Sequence, residues 1–242
     1  MKLVFIRHAE PDYTIDGLTE KGKVEAELLS QRLLNFPMDE IYVSPLGRAK
    51  DTAAPFLEKS GRTAIELEWL KEFPPRIIRP DKPDKESIAW DWMPQDWTAC
   101  DAFYDYENWM KHPVMEAGHV GEEYARVTGL FARFLKEHGY EKEGRLFLAR
   151  HANNDTIVFF CHFGLTAVLL SYLYSISPMI IWHGMVAPPS SICVLATEER
   201  EKGYASFRMN LFGDTMHLET NGEERSFAAR FCECYDNPDE RH

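Results

Sequence analysis

The chain has 242 residues and a net charge of −12, and 45% of its residues are hydrophobic and 13% aromatic. This is ample apolar material for the core of one large domain, which excludes global disorder, and the acidic charge argues against nucleic acid or an anionic membrane as a partner. No apolar stretch approaches the roughly 18 residues of a membrane span, and the first apolar run is too short for a signal peptide. The five cysteines are an odd number and do not indicate a disulfide framework. We therefore predict a cytoplasmic location.

Apolar runs and helix-start signals alternate along the first third of the chain. The run at residues 2–6 predicts a strand that is covered on both faces, and Thr19 is typical of a helix N-cap. Ser44 as N-cap, followed by Pro45, indicates a second helix start, which places Arg48 in the first turns of that helix. The predicted elements, in chain order, are a strand over 2–6, a loop over 8–18, a helix from 19 to about 36, a strand over 41–43, a helix from 44, and a strand over 63–69.

The middle of the chain differs in composition from the rest. Prolines interrupt residues 74–119, and tryptophan, tyrosine and phenylalanine cluster from Trp90 to Trp109. We predict that this segment is an inserted, aromatic-rich lid that packs on the main domain, because a separate unit of about 45 residues would be marginally stable. Its rings serve mainly in packing, although one or two could stack on the organic part of a substrate.

The last part of the chain returns to regular elements. An apolar stripe predicts a helix over 122–138 with Gly139 as its stop. The remaining predicted elements are a buried strand over 156–161 that ends in His162, a helix after Gly164, and strands over 191–196 and 205–211 joined by a turn at Lys202-Gly203. This order predicts a single α/β domain over 1–242, a three-layer α/β/α sandwich whose largely parallel sheet carries an antiparallel edge.

Two of the predicted buried strands end in a histidine. Arg7-His8 follows the first strand, and His162 follows the strand over 156–161. Open α/β sheets bind ligands at the carboxyl ends of their strands, so two imidazoles and a guanidinium could meet in one crevice. That combination suits phosphate chemistry.

Five ordered motifs resemble the signature of the histidine phosphatase (phosphoglycerate mutase-like) superfamily. They are Arg7-His8-Ala9-Glu10, Leu18-Thr19 with Gly22, Ser44-Pro45-Leu46-Gly47-Arg48-Ala49 with Thr52-Ala53, Glu72, and His162-Phe163-Gly164. The resemblance spans roughly residues 1–73 and 120–217 and covers neither the insertion nor the tail. It implies a phosphoglycerate mutase-like fold and a reaction through a covalent phosphohistidine.

The resemblance also implies a catalytic set, which consists of Arg7, His8, Arg48, Glu72 and His162. His8 is the implied nucleophile, and the two arginines and His162 are the implied donors to the phosphate oxygens. Glu72 is the implied general acid and base. Nearby cations lower the pKa of an imidazole and a facing phosphate raises that of a carboxyl group, so both groups would be in the form the reaction needs. No metal and no cofactor is required, because the cations are already side chains.

The residues after the first motif favour hydrolysis over transfer. Mutases of this family carry asparagines, a phenylalanine and a tryptophan there, whereas this chain has Pro11-Asp12-Tyr13-Thr14-Ile15-Asp16-Gly17. The branch of phytases and acid phosphatases follows the arginine-histidine pair with glycine and further arginine and is typically secreted with disulfides, and neither feature is present. We expect an intracellular phosphatase for a small phosphomonoester. Mutase-type phosphoryl transfer and a non-catalytic phospho-ligand binding protein are the alternatives.

Several further residues are weaker candidates. Glu10 competes with Glu72 for the acid–base role, His183 is a candidate for the pocket rim, and Arg150-His151 precedes a strand and is expected in a loop. Cys232-Glu233-Cys234 is a weak metal signal. The sequence determines neither the individual phosphomonoester nor the oligomeric state.

Overall fold

A computed structural model describes residues 1–227 and 234–237 of the chain. The strands, in chain order, are β1 (Lys2–Arg7), β2 (Pro11–Asp12), β3 (Gly17–Leu18), β4 (Glu40–Val43), β5 (Ile65–Glu66), β6 (Arg76–Ile78), β7 (Glu86–Ile88), β8 (Tyr140–Glu143), β9 (Leu146–Ala149), β10 (Thr156–Cys161), β11 (Ile192–Glu201) and β12 (Tyr204–Asp214). The α-helices are α1 (Glu20–Leu33), α2 (Gly47–Ser60), α3 (Pro94–Thr98), α4 (Pro113–Ala117), α5 (Val120–Glu137), α6 (Phe163–Tyr174), α7 (Pro178–Gly184) and α8 (Met216–Glu219). Among these described helices, none combines the length and apolar character that crossing a bilayer requires.

The middle layer is a mixed eight-stranded sheet with the order β5-β4-β10-β1-β11-β12-β9-β8. The strands from β5 to β1 are parallel, and those from β11 to β8 run antiparallel to their neighbours. This confirms the predicted α/β fold with its antiparallel edge. The edge is wider than predicted, because the short hairpin β8–β9 extends the predicted pair β11–β12.

Strand β1 shows why the sheet is covered on both faces. Successive side chains of a strand point to opposite faces, so Leu3 and Phe5 join one apolar cluster while Val4 and Ile6 join another. The first cluster includes residues of α5, α6 and α7, and the second includes residues of α1 and α2. The result is the predicted three-layer arrangement, with helices α1 and α2 on one side of the sheet and helices α5 to α7 on the other.

Two predicted helix boundaries are confirmed by their backbone chemistry. Thr19 is the N-cap of α1, and its hydroxyl accepts a hydrogen bond from the Gly22 amide at 3.0 Å. Gly139 follows α5 with φ of +93°, in the left-handed region that a side chain disfavours.

Two predicted elements are corrected. Helix α2 begins at Gly47 with Leu46 as its N-cap, so Ser44 is not the cap. The Ser44 hydroxyl lies three residues before that start, 2.8 Å from Nε2 of His162 on the neighbouring strand end and 3.3 Å from the Leu46 amide nitrogen. The strand predicted over 63–69 is shorter than expected and consists of β5 alone. Residues Glu68–Leu70 instead form a 3-10 helix, in which Leu70 is fully buried.

The segment 74–119 contains the ribbon β6–β7 and short helical turns around buried rings. Trp92, Phe103 and Trp109 belong to the same apolar cluster as α5 and α7. The Trp109 ring packs edge-on against Tyr124 of α5, at 5.2 Å between centroids, and against Trp182 of α7, at 5.7 Å. The aromatic residues of the segment therefore join it to the helical layer on that face of the sheet.

Candidate active site

The candidate site lies at the carboxyl ends of the parallel strands. His8 follows β1, Ser44 follows β4 and His162 follows β10. These three strands are adjacent and parallel in the sheet, so their ends meet at the same edge. The imidazole rings of His8 and His162 lie 5.1 Å apart between centroids, tilted by 55°.

The backbone of His8 is held on both sides. Its amide donates to the Cys161 carbonyl at 3.0 Å, and its carbonyl accepts from the Ser190 amide at 3.1 Å. The next amide, that of Ala9, donates to the Thr52 hydroxyl of α2 at 2.9 Å. The backbone at His8 is therefore held by the end of β10, the turn before β11 and helix α2.

The hydrogen-bond partner of His8 defines its tautomer. Nδ1 lies 2.8 Å from the Ala9 carbonyl oxygen, which can only accept, so Nδ1 carries the hydrogen. Burial, and then the charges of Arg7 and Arg48, lower the pKa of His8 well below its usual 6.5, against a smaller opposite effect of the Ala9 carbonyl. The ring is neutral at neutral pH, and Nε2 carries the lone pair.

His162 is fully buried and bonded at one of its two ring nitrogens. Its Nε2 lies 2.8 Å from the hydroxyl of Ser44, which is also fully buried. Its Nδ1 is buried without a hydrogen-bond partner among the described residues. Burial lowers the pKa of His162 well below its usual value, and the neighbouring His8 and the two arginines act in the same direction.

Arg7 and Arg48 are nearly buried cations with bonding capacity left. The Arg7 Nη1 donates to the Ala187 carbonyl at 2.7 Å, and the Arg48 Nη1 pairs with the carboxylate of Asp16. The Nε atoms of both arginines are buried without an acceptor in the described ranges. A buried donor without an acceptor is costly, and an anion bound between the arginines would satisfy these groups.

Glu72 lies against the N-terminus of α6, beside His162. Its Oε1 accepts from the amides of Phe73 and Leu165, both at 2.8 Å, and its Oε2 accepts from Gly164 at the longer distance of 3.3 Å. Burial raises the pKa of Glu72, and the amide bonds and the charge of Arg7 only partly oppose that effect. Oε2, the less bonded oxygen, is the better place for a proton that has to move.

Trp90 of the segment 74–119 also lies beside Glu72 at the N-terminus of α6. A Cβ built on Gly164 would lie 2.6 Å from the Trp90 Nε1 and 2.7 Å from the Glu72 Oε1, so both atoms abut the Gly164 backbone. The Trp90 ring also meets Phe163 edge-on, at 6.0 Å between centroids. One ring of the segment therefore packs beside the candidate acid.

The structure thus brings together all five residues of the predicted set, whereas the side chains of the weaker candidates are bonded to other groups or exposed. The Glu10 carboxylate is bonded to the hydroxyls of Thr19 and Ser226. His183 is bonded to the Met179 carbonyl and the Trp92 amide. His151 is exposed in the turn before β10, at the opposite end of that strand from His162. Two members of the Cys232-Glu233-Cys234 signal lie outside the described residues.

Sequence reasoning missed the partners that hold the set. These partners are Asp16 for Arg48, the Ala187 carbonyl for Arg7, and Ser44 for His162. In each pair the two residues are far apart in the sequence. Ser44 stands within a recognised motif, but its position before proline indicated a helix cap. Among the described residues, no three histidine, cysteine, aspartate or glutamate side chains converge in a way that could hold a metal ion.

Comparisons with known proteins show the family of this chain. The family model of the histidine phosphatase superfamily (branch 1) matches residues 3–210. A "probable phosphatase" of Schizosaccharomyces pombe is 24% identical over 234 residues, which cover 91% of this chain and 96% of that protein. Phosphoserine phosphatase 1 of Hydrogenobacter thermophilus is 32% identical over 146 residues, which cover 57% of this chain and 64% of that protein.

Solved structures show the same fold at low sequence identity. The phosphoserine phosphatase of Entamoeba histolytica in complex with 3-phosphoglyceric acid has a TM-score of 0.58 and is 20% identical, and the match covers 90% of this chain and 98% of that one. The family match confirms the resemblance carried by the sequence motifs. The chain belongs to the histidine phosphatase superfamily, branch 1.

Proposed function

We propose that the protein is a phosphatase that hydrolyses a small phosphomonoester through a covalent phosphohistidine on His8. The observation that carries the proposal is the geometry of His8, whose Nδ1 is bonded to the Ala9 carbonyl and whose Nε2 is thereby left with the lone pair of the neutral ring. The lowered pKa of His8 favours that neutral form. Around it lie two buried guanidinium groups with unused donors and a second imidazole. Such a cluster attracts a phosphate dianion and leaves one atom free to attack it.

In the first step, Nε2 of His8 attacks the phosphorus and the bond to the ester oxygen breaks. Arg7, Arg48 and His162 stabilise the charge on the phosphoryl oxygens. Glu72 gives its proton to the leaving oxygen, so that an alcohol departs rather than an alkoxide. The raised pKa of the Glu72 carboxyl favours the protonated form that this step needs.

In the second step, water attacks the phosphohistidine. The Glu72 carboxylate takes a proton from that water, the bond between phosphorus and Nε2 breaks, and neutral His8 and protonated Glu72 are regenerated. Dividing the reaction in this way matters because phosphate monoesters present barriers that enzymes lower by about 20 kcal/mol or more. No step of this scheme requires a metal ion.

The alcohol side of the substrate would face the segment 74–119. Trp90 abuts Glu72 at Gly164, and the acid acts on the leaving oxygen, so we infer that this segment borders the leaving group as a lid within a single domain. Relatives that act on phosphoserine or are solved with 3-phosphoglyceric acid favour a small phosphorylated metabolite.

A single-turnover experiment with radiolabelled phenyl phosphate tests the mechanism. The wild-type protein should acquire a phosphate that is labile in acid and stable in base, and His8→Ala should acquire none and lose turnover while keeping its circular dichroism spectrum. His151→Ala is the matched control, because it removes the histidine of another arginine-histidine pair that is exposed away from the site. It should label and turn over normally.

The same experiment separates the alternatives. Label on His8→Ala would refute the nucleophile assignment. Label that passes from the wild-type protein to another phosphate acceptor in preference to water would indicate a mutase. Absence of both label and turnover across a panel of phosphomonoesters would indicate a non-catalytic binding protein.

A further inference from the structure

The contact between Ser44 and His162 has a chemical consequence that depends on where the hydrogens lie. Ser44 Oγ is 2.8 Å from Nε2 of His162 and 3.3 Å from the amide nitrogen of Leu46. Both Ser44 and His162 have an exposed fraction of 0%. Water therefore does not reach this contact from the surface, and the groups must satisfy one another.

Two arrangements of the hydrogens are possible, and only one satisfies Ser44. If Nε2 carried the hydrogen, Ser44 Oγ would accept from both Nε2 and Leu46, and its own hydrogen would have no acceptor among the groups bonded to it. If Ser44 instead donates to Nε2, the hydroxyl uses its hydrogen on the ring and one lone pair on the Leu46 amide. An unused buried hydroxyl donor is costly, so the second arrangement is favoured.

The second arrangement places the ring hydrogen of His162 on Nδ1. That atom is buried without a partner among the described residues and belongs to a ring 5.1 Å from the His8 ring. A neutral imidazole has one donor and one acceptor nitrogen. With Nε2 occupied as the acceptor, Nδ1 becomes a donor, which is what an anion beside His8 requires.

We propose that Ser44 is a positioning residue for phosphoryl transfer, whose hydroxyl donates to Nε2 of His162, keeps the ring hydrogen on Nδ1, and makes neutral His162 a hydrogen-bond donor to the phosphoryl group. The proposal rests on the proposed function, because it takes His162 as a phosphoryl contact. Without Ser44 the ring is free to carry its hydrogen on Nε2, and Nδ1 then presents a lone pair to the phosphate oxygens.

Histidine nitrogen NMR on isotope-labelled protein reads the tautomer directly. The His162 signals are assigned by their loss in His162→Gln. In the wild-type protein we expect Nδ1 to be protonated and Nε2 unprotonated, and in Ser44→Ala we expect the Nε2-protonated form to appear. Ser44→Thr, which keeps the hydroxyl, should retain the wild-type tautomer.

Kinetics supply the second readout. Ser44→Ala should lower kcat for phenyl phosphate by about 10- to 100-fold, the range for one hydrogen bond to a charged group, and Ser44→Thr should recover much of the loss. Ser30→Ala is the matched control, because Ser30 is also fully buried but bonds to a helix carbonyl of α1. It should leave kcat unchanged.

Three results would overturn the proposal. They are a wild-type His162 protonated on Nε2, a Ser44→Ala variant that loses activity with its tautomer unchanged, and a changed tautomer with unchanged kcat. Failure of the proposed function is distinguishable, because it would abolish the phosphohistidine in the wild-type protein while the tautomer could still be measured. If Ser44→Ala does not fold, the wild-type and Ser44→Thr spectra still decide the position of the hydrogen.

Discussion

Replacing Glu25 by glutamine should stabilise the protein, and the gain should depend on pH. Glu25 lies on α1 with an exposed fraction of 0%, and its Oε2 accepts from the Glu10 amide at 2.8 Å. Burial, with a smaller contribution from the Glu10 charge, raises the pKa of this carboxyl from 4.5 to about 7, and the Glu10 amide and the Lys21 charge oppose the shift. The folded state therefore prefers the neutral form, whereas the unfolded chain ionises near the ordinary value.

The magnitude follows from the distance between the two pKa values. A carboxyl with a raised pKa contributes its full stability below about pH 4.5 and loses it as the pH rises to about 7, which amounts to about 3 kcal/mol. Glutamine keeps an oxygen for the Glu10 amide and never ionises. The free energy of unfolding of Glu25→Gln should thus exceed that of the wild-type protein by about 1 kcal/mol at pH 5 and by about 3 kcal/mol at pH 8.

Urea unfolding between pH 4 and pH 8, followed by tryptophan fluorescence, measures this difference in the free energy of unfolding. Glu27→Gln is the matched control on the same helix, because the half-exposed Glu27 pairs with Lys59, which lowers its pKa. That variant should change stability by less than about 1 kcal/mol. A Glu25→Gln variant that is no more stable than the wild-type protein at pH 8, or whose gain is the same at pH 4, would refute the reasoning.

Two further substitutions test the packing beside Glu72 and its role as the acid. Gly164→Ala would put a methyl group 2.6 Å from the Trp90 Nε1 and 2.7 Å from the Glu72 Oε1, so kcat for phenyl phosphate should fall by about 10-fold or more. The control is Gly129→Ala, whose added methyl group meets nothing within 4 Å. It should leave kcat unchanged and stabilise α5 by about 1 kcal/mol. Equal kcat values in the two variants would contradict the packing argument. Glu72→Gln should slow hydrolysis of an alkyl phosphate far more than that of p-nitrophenyl phosphate, whose leaving group needs no proton; an equal loss on both substrates would point to a different acid, first to Glu10.

Local patterns were sufficient to predict the parallel part of the fold. A strand buried on both faces is apolar along its interior, and residues 3–6 of β1 and 157–161 of β10 meet that condition. Thr19 could be read as a cap because its side chain bonds within its own helix turn. The hairpin β8–β9 was missed because its alternation is weak and its strands have only four residues each.

The sequence by itself determined which residue types stand at the strand ends, and ordered motifs placed Arg7, His8, Arg48, Glu72 and His162 in one predicted site. Only the tertiary structure decided what each of them is bonded to. Those partners come from distant parts of the chain, as Ser44 and His162 do across 118 positions, and no local periodicity records such a contact. The tautomers and the shifted pKa values depend on these partners and on burial, which exist only once the strand ends have met.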